Sequence, residues 1–190
     1  SHQLNIFKKV KIKKIYLVSG YKSSKIRFNQ IKKRKNIDYK NSNMVFSLFK
    51  YANLFNGKQD IIVSYGDIIY KKEIIQKLID DNNNLSTIID LDWYKYWKKR
   101  FRNPLKDAET LKTDRENFIT DIGKKTKFYK NIKGQYIGLT KIQKEISQRV
   151  LRIWLSLNKS NNKSKIKNLF FTDFLRILIK KKNKIKSSVC

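Results

Sequence analysis

Four residue types are almost missing from this chain, which has one cysteine, one histidine, one proline and one methionine. A lone Cys190 cannot close an internal disulfide, and such sparing use of cysteine fits a reducing cytoplasm. One His and one Cys also leave a structural zinc site without a ligand set. His2 stands at the extreme end of the chain, so there is no Ser-His-Asp arrangement and no second His to act as a base. No apolar run reaches the length that spans a bilayer, and no signal-peptide pattern opens the sequence. Acidic residues are scarce as well, 15 against 45 basic ones, for a formal net charge of +30.

A charge of that size has two readings. It can mark a nucleic-acid or anionic-membrane partner. It can equally reflect a lysine-, isoleucine- and asparagine-biased composition of the kind an AT-rich genome produces. The basic residues are mostly Lys and are scattered along every segment, and no RNP-type, zinc-finger or helix-turn-helix signature turns the charge into readout. Compositional bias is the preferred reading. With 40% hydrophobic and 13% aromatic residues, the chain is too apolar to be disordered. At 190 residues it suits one domain, 1–190, with a proper core.

The chain is organised around Asp60-Ile-Ile-Val-Ser-Tyr-Gly-Asp-Ile-Ile-Tyr70. A short β-branched run followed closely by Gly reads as a buried strand of a parallel sheet. Ligands of open α/β sheets bind beyond the carboxyl ends of strands, which puts Asp67 at the working edge. A carboxylate there can hold Mg2+ against a phosphate; it can equally cap the helix expected over 71–79. Local signal leaves both readings open.

Around this stretch the pattern predicts a helix over 3–10, a strand over 14–20, a helix over 21–28 and a brief strand over 36–39. An amphipathic helix follows, with Val45, Leu48, Phe49, Ala52 and Phe55 on one face after the Asn41-Ser-Asn43 cap cluster. A strand is expected over 85–91. This alternation argues for right-handed βαβ units and a parallel α/β sheet. Beyond it come strands over 109–112, 117–122 and 134–142, the last with Gly134 and Gly138 as close-approach points. Helices over 144–157 and 171–181, joined by a polar loop at 158–164, complete the reading.

Carboxylates recur at expected strand ends: Asp67, Asp90 and Asp92, Asp107 and Glu109. Acids gathered at one sheet edge suit Mg2+ and a phosphate-bearing or amino-bearing ligand, although turn and cap roles explain single acids as well. Trp93, Tyr94, Tyr96 and Trp97 with Arg100 and Arg102 could hold an ammonium on aromatic faces and a phosphate on guanidinium groups. They could also simply fill a core. With no base of the His type, metal-assisted phosphoryl or nucleotidyl transfer is the chemistry these residues favour.

Tyr16-Leu-Val-Ser-Gly-Tyr-Lys22, Asn43-Met-Val-Phe-Ser-Leu48, Tyr65-Gly-Asp67, Asp90-Leu-Asp-Trp93, Asp107-Ala-Glu-Thr110, Asp121-Ile-Gly123 and Gly134-Gln-Tyr-Ile-Gly138 occur in one order. Together they resemble the nucleotidyltransferases related to phosphocholine cytidylyltransferase and to the cytidylyltransferases of phosphonate pathways. The resemblance covers about residues 3–178. It implies a Rossmann-like, three-layer α/β fold with a mostly parallel central sheet. It also implies Mg2+-dependent condensation of an NTP, expected to be CTP, with a phosphorylated or phosphonate small molecule, releasing pyrophosphate. Asp67 matches the family's metal-binding carboxylate. Asp92, Trp93, Asp107 and Glu109 fall where the acceptor's amino or choline end is expected, and Tyr136 is a further substrate-binding candidate. Two departures stand out. The family's opening strand and Gly-rich, Arg-bearing NTP loop have no counterpart here, nor does its late Glu-Val-Asp-like strand with a second metal-binding acid. The resemblance therefore implies a partial domain, incomplete at both ends, that is inactive by itself.

Overall fold

The computed structural model describes residues 2–159 and 163–190. Its helices are α1 (His2–Lys9), α2 (Met44–Leu48), α3 (Lys72–Asp80), α4 (Trp93–Arg100), α5 (Lys144–Asn158), α6 (Lys163–Lys167) and α7 (Phe171–Lys180). Its strands are β1 (Ile15–Ser19), β2 (Ile31–Lys35), β3 (Ile61–Ser64), β4 (Leu85–Asp90), β5 (Glu109–Thr113), β6 (Ile119–Lys125), β7 (Gln135–Ile142) and β8 (Lys186–Val189). A four-stranded sheet in the order β3-β7-β4-β8 forms the centre, a parallel pair β1-β2 stands apart, and β5-β6 is an antiparallel ribbon.

In the central sheet β3 and β4 are both antiparallel to β7, and β4 is parallel to β8. Three of the four strands thus share one direction and β7 opposes them. The expected β3-α3-β4 crossover exists, but β7 lies between its two strands. This insertion needs two close approaches. A Cβ on Gly134 would stand 2.9 Å from the Asp90 carbonyl oxygen, and one on Gly138, at φ +91°, would stand 2.7 Å from the Tyr65 ring. Both glycines are the close-approach points expected from the sequence.

The two faces of the sheet carry separate apolar layers. Leu85, Ile89 and Ile142 pack with Val45, Phe49 and Phe55 and with α5 and α7, where Phe49 stacks on Trp154. On the other face Ile88 and Leu139 pack with Ile6 of α1 and with Ile75 and Leu78 of α3. This helix–sheet–helix sandwich is the three-layer α/β arrangement expected. A third, small cluster joins Trp93, Ala108 and Ile132.

Three expectations fail locally. Residues 21–28 hold only a 3-10 turn at Ser23–Lys25, and residues 36–39 form no strand. The strand is instead β2, Ile-Lys-Lys-Arg-Lys, which pairs with β1 in register. Its lysines stand at a sheet edge, where charge is tolerated because one side meets water. The helix over 45–55 splits into α2 and a 3-10 segment, Phe49–Leu54, kinked at Tyr51. The expected loop at 158–164 lies partly outside the described residues, which resume in α6.

One buried polar knot ties α3 to the sheet. Lys141 Nζ donates to the carbonyls of Ile79 and Asp81 at 2.7 Å each, satisfying helix-terminal oxygens where the macrodipole is negative. Burial pushes the Asp81 carboxyl up, but donation from Ser86 Oγ, Asn83 N and Asn83 Nδ2, with the nearby Lys141 ammonium, outweighs it and holds the group below the usual range.

Two consequences are measurable. The stability tied to ionised Asp81 is present above the unfolded carboxylate pKa, about 4, and is lost as pH falls through the depressed folded value. Urea midpoints followed from pH 7 to pH 2 should therefore fall less steeply in acid for Asp81→Asn. Gly138→Ala should cost about 1–3 kcal/mol from its left-handed backbone alone, with further loss from the Tyr65 contact, read as a lower urea midpoint at pH 7.

Candidate functional site

Because β7 runs against its neighbours, its amino-terminal end meets the carboxyl ends of β3 and β4. Ser64 pairs with Leu139, and Asp90 with Gln135. Tyr65, Gly66 and Asp67 leave β3 at that edge. Asp67 is exposed and enters no ion pair among the described residues. Nor does it cap α3, whose preceding residue is Lys71. The capping alternative therefore falls away, and Asp67 is a solvent-facing carboxylate at the sheet edge.

Tyr65 links the acids of two strands. Burial pushes its phenol well above the usual range, and the negative charges of Glu109 and Asp67 add to the effect. The hydroxyl is thus neutral and protonated throughout the physiological range. Its ring meets Tyr136 edge-on at 5.8 Å, and Tyr136 stacks on Phe171 at 5.7 Å. The Tyr136 hydroxyl and Thr140 Oγ1 share a hydrogen bond at 3.1 Å, and burial raises its pKa strongly. This places Tyr136 in the supporting layer beneath the edge.

Glu109 opens β5, and Gln135 fixes it there. Gln135 Oε1 accepts from Glu109 N at 3.1 Å, and Gln135 Nε2 donates to the Glu109 carbonyl at 2.7 Å. Sequence reasoning did not single out Gln135; its buried amide, directly after Gly134, was the signal available. Asp107 accepts from Trp97 Nε1 at 2.8 Å. Asp92 is exposed and pairs with Lys95 at 3.2 Å. Trp93, by contrast, is buried at 4% exposure beside Ala108 and Ile132, and stacks on Tyr129. The exposed aromatic faces of this region belong to Tyr94, Tyr96, Phe128 and Tyr129.

By the elements that carry them, the candidates fall into two groups. Asp67, Tyr65 and Glu109 form one. Asp92, Asp107 and Trp97 form the other, around α4. Asp121-Ile-Gly123 serves packing instead: Arg176 Nη1 donates to the Ile122 and Gly123 carbonyls and Nη2 pairs with Asp173. Strand β8 carries no carboxylate. Among the described residues no three His, Cys, Asp or Glu side chains converge as a metal cage. An isolated carboxylate at such an edge fits a cation that takes its other ligands from water and substrate phosphates.

No protein-family model matches the chain. It is 35% identical over 199 aligned residues to the CTP:phosphoglutamine cytidylyltransferase of Campylobacter jejuni subsp. jejuni serotype O:2, covering 98% of this chain and 78% of that protein. Two solved structures share the fold. The inositol-1-phosphate CTP transferase from T. maritima superposes with a TM-score of 0.68 at 13% identity, over 99% of this chain and 71% of its own. A putative glucose-1-phosphate thymidylyltransferase from Bacillus anthracis gives 0.65 at 14% identity, over 100% and 72%. At such identities these two speak for the fold alone, whereas the Campylobacter protein is similar along nearly the whole chain. The chain belongs to the cytidylyltransferase family of nucleotidyltransferases.

Proposed function

We propose that this chain carries the metal-binding and acceptor-binding parts of a cytidylyltransferase that joins CTP to a phosphorylated small molecule bearing an amine. In that reaction an acceptor phosphate oxygen bonds to the α-phosphorus of CTP, the bond from that phosphorus to the bridging oxygen breaks, and pyrophosphate leaves with the electron pair. The observation that carries the reading is Asp67, an unpaired carboxylate at the mouth of β3 beside Tyr65 and Glu109. Mg2+ bound there would neutralise phosphate charge, which is most of what nucleotidyl transfer asks of a protein.

The acids support an amine-bearing acceptor. Asp92, Asp107 and Glu109 lie on elements around one edge, and the exposed Tyr94 and Tyr129 rings meet edge-to-face at 5.3 Å. Carboxylates and aromatic faces both attract ammonium groups. Phosphoglutamine, named for the Campylobacter protein, carries such a group, and phosphocholine and 2-aminoethylphosphonate are the other acceptors of this kind. Tyr65 stays neutral and offers a hydroxyl without adding negative charge. Trp93 acts by holding α4 against Ala108, so its part in recognition is positional.

No Gly-rich, Arg-bearing loop occurs within the 190 residues. The chain by itself is accordingly expected to release no pyrophosphate from CTP and Mg2+ with any of the three acceptors; robust release would show that the described residues suffice. Metal binding separates from turnover. Paramagnetic Mn2+ should broaden amide signals around Gly66 and Asp67 first, and Asp67→Asn should abolish that broadening while leaving the fold's spectrum intact. Broadening that persists in Asp67→Asn would remove Asp67 as the ligand.

A further inference from the structure

Rings and cations from two separate segments meet on the outer side of α4. At 3.6 residues per turn, buried Trp93 and half-buried Trp97 fix the inner face of this helix. Tyr94, Lys98, Lys95, Lys99 and Tyr96 then follow one another around the outer face, three lysines bracketed by two tyrosines, and all five are exposed. The second segment is 127–130, Lys-Phe-Tyr-Lys, whose four residues are exposed as well. Tyr129 joins the two segments: its ring meets Tyr94 edge-to-face at 5.3 Å and stacks on Trp93 at 6.3 Å.

This surface is cationic by local arrangement as well as by composition. Residues 93–106 and 122–134 contain no acid. Asp92 and Asp107 border it, and both are engaged, Asp92 with Lys95 at 3.2 Å and Asp107 with the Trp97 indole at 2.8 Å. Lys98, Lys99, Lys127 and Lys130 enter no ion pair among the described residues. The lysine-rich strand β2 differs. There Lys33 donates to the Ser23 and Ile26 carbonyls, and Arg34 donates to the Lys50 carbonyl with its guanidinium over the Tyr51 ring. Cations of β2 are thus turned onto the protein, whereas those of the α4 surface point to solvent.

The rings choose between polyanions. A nucleic-acid strand stacks its bases on open aromatic faces. Here the Tyr94 and Tyr129 rings stand at 88° to one another, the Arg100 guanidinium lies over Tyr96 at 5.4 Å, and the Lys130 ammonium lies over Phe128 at 5.7 Å. The rings are held against cations and each other rather than open as a platform. A ring beside a cation suits the headgroup layer of an anionic bilayer, where the ring sits among headgroups and the cation reaches lipid phosphate. Among the described residues no helix is long and apolar enough to cross a membrane, so contact through this surface is peripheral.

We propose that the outer face of α4 and the 127–130 segment form a peripheral docking surface for an anionic lipid bilayer. Tyr96 and Phe128 enter the headgroup layer, and Lys98, Lys99, Lys127 and Lys130 meet lipid phosphates. Tyr94 and Tyr129 are the seam that holds the two segments together. The inference rests on this surface alone and stands whether or not the reaction proposed above is the right one.

Vesicle flotation of the 190-residue chain tests it. The vesicles are phosphatidylcholine with about one third phosphatidylglycerol, against phosphatidylcholine alone, at roughly 0.15 M salt. The chain should float with the anionic vesicles only. Lys98→Gln with Lys99→Gln should weaken that binding about 30-fold, from roughly 1 kcal/mol for each lysine near the surface. Lys32→Gln with Lys35→Gln removes the same charge from β2 and should weaken it by less than about 3-fold. Tyr96→Ser with Phe128→Ser, at unchanged charge, should weaken it about 10-fold. Flotation with neither vesicle or equally with both, equal losses from the two lysine pairs, or full binding by the ring variant overturns the inference. Tighter binding to a random-sequence single-stranded oligonucleotide than to the vesicles, lost in the same variants, would make this a nucleic-acid surface and overturns it as well. Circular dichroism checks that each variant is folded, and should the ring variant not fold, the two lysine pairs decide alone.

Discussion

The antiparallel course of β7 between β3 and β4 is the constraint on which the rest depends. Only a strand running against its neighbours brings its own beginning to their ends. That geometry sets Gln135 beside Asp90 and the loop after β3 beside Gly138. Gln135 then anchors Glu109, and through it the ribbon β5-β6. The strand ends that carry Asp67 and Asp90 thus share one edge with the start of β7, and β7 is accommodated there by glycine at two close approaches, to the Asp90 carbonyl and to the Tyr65 ring. A Cβ at either position would clash with the neighbouring strand end.

Charge contributes little to holding this together. The formal charge is +30, yet three of the six ion pairs of the described residues join two exposed groups, and such pairs stabilise by less than about 1 kcal/mol. The exceptions sit at joints. Lys141 closes the carboxyl end of α3, and Arg176 fastens α7 to the carbonyls of β6. Each places a cation on backbone carbonyls that would otherwise be unsatisfied inside the fold, where a lost partner costs more than a gained pair returns. Two apolar layers do the remaining work, and they leave the excess lysines free on the surface.

How much the sequence disclosed varied with how strongly one local pattern spoke. Strand β4 was plain because Leu85–Ile89 must be buried on both faces, and α5 because Ile146, Val150 and Trp154 recur at helical spacing. Strand β2 was hidden, since a lysine-rich edge strand has no alternation to read. The helix over 45–55 was half right: the apolar spacing is that of one helix, but Tyr51 breaks the backbone to send its hydroxyl to the Lys32 carbonyl, a tertiary contact no window could contain. At the site, Asp67 was legible as a carboxylate after a buried strand. Its neighbour Tyr65 was not, because its character comes first from burial in the folded chain and then from Glu109, 44 residues away in the sequence. Trp93 and Tyr94 could not be told apart locally, and folding turned the first inward and the second out.

The half-burial of β3 gives the sharpest link between fold and chemistry. Ile61, Ile62 and Val63 have the composition of a strand that belongs in the middle of a sheet, but their outer edge faces an open cleft. Asp67 lies just past the end of this strand, so the precision of its position depends on how firmly β3 is held. A strand paired on one side can twist and slide; one paired on both sides is fixed in register. A functional carboxylate is useful only when the element that carries it is firmly held. The half-burial of β3 thus bears directly on the loop from which Asp67 projects.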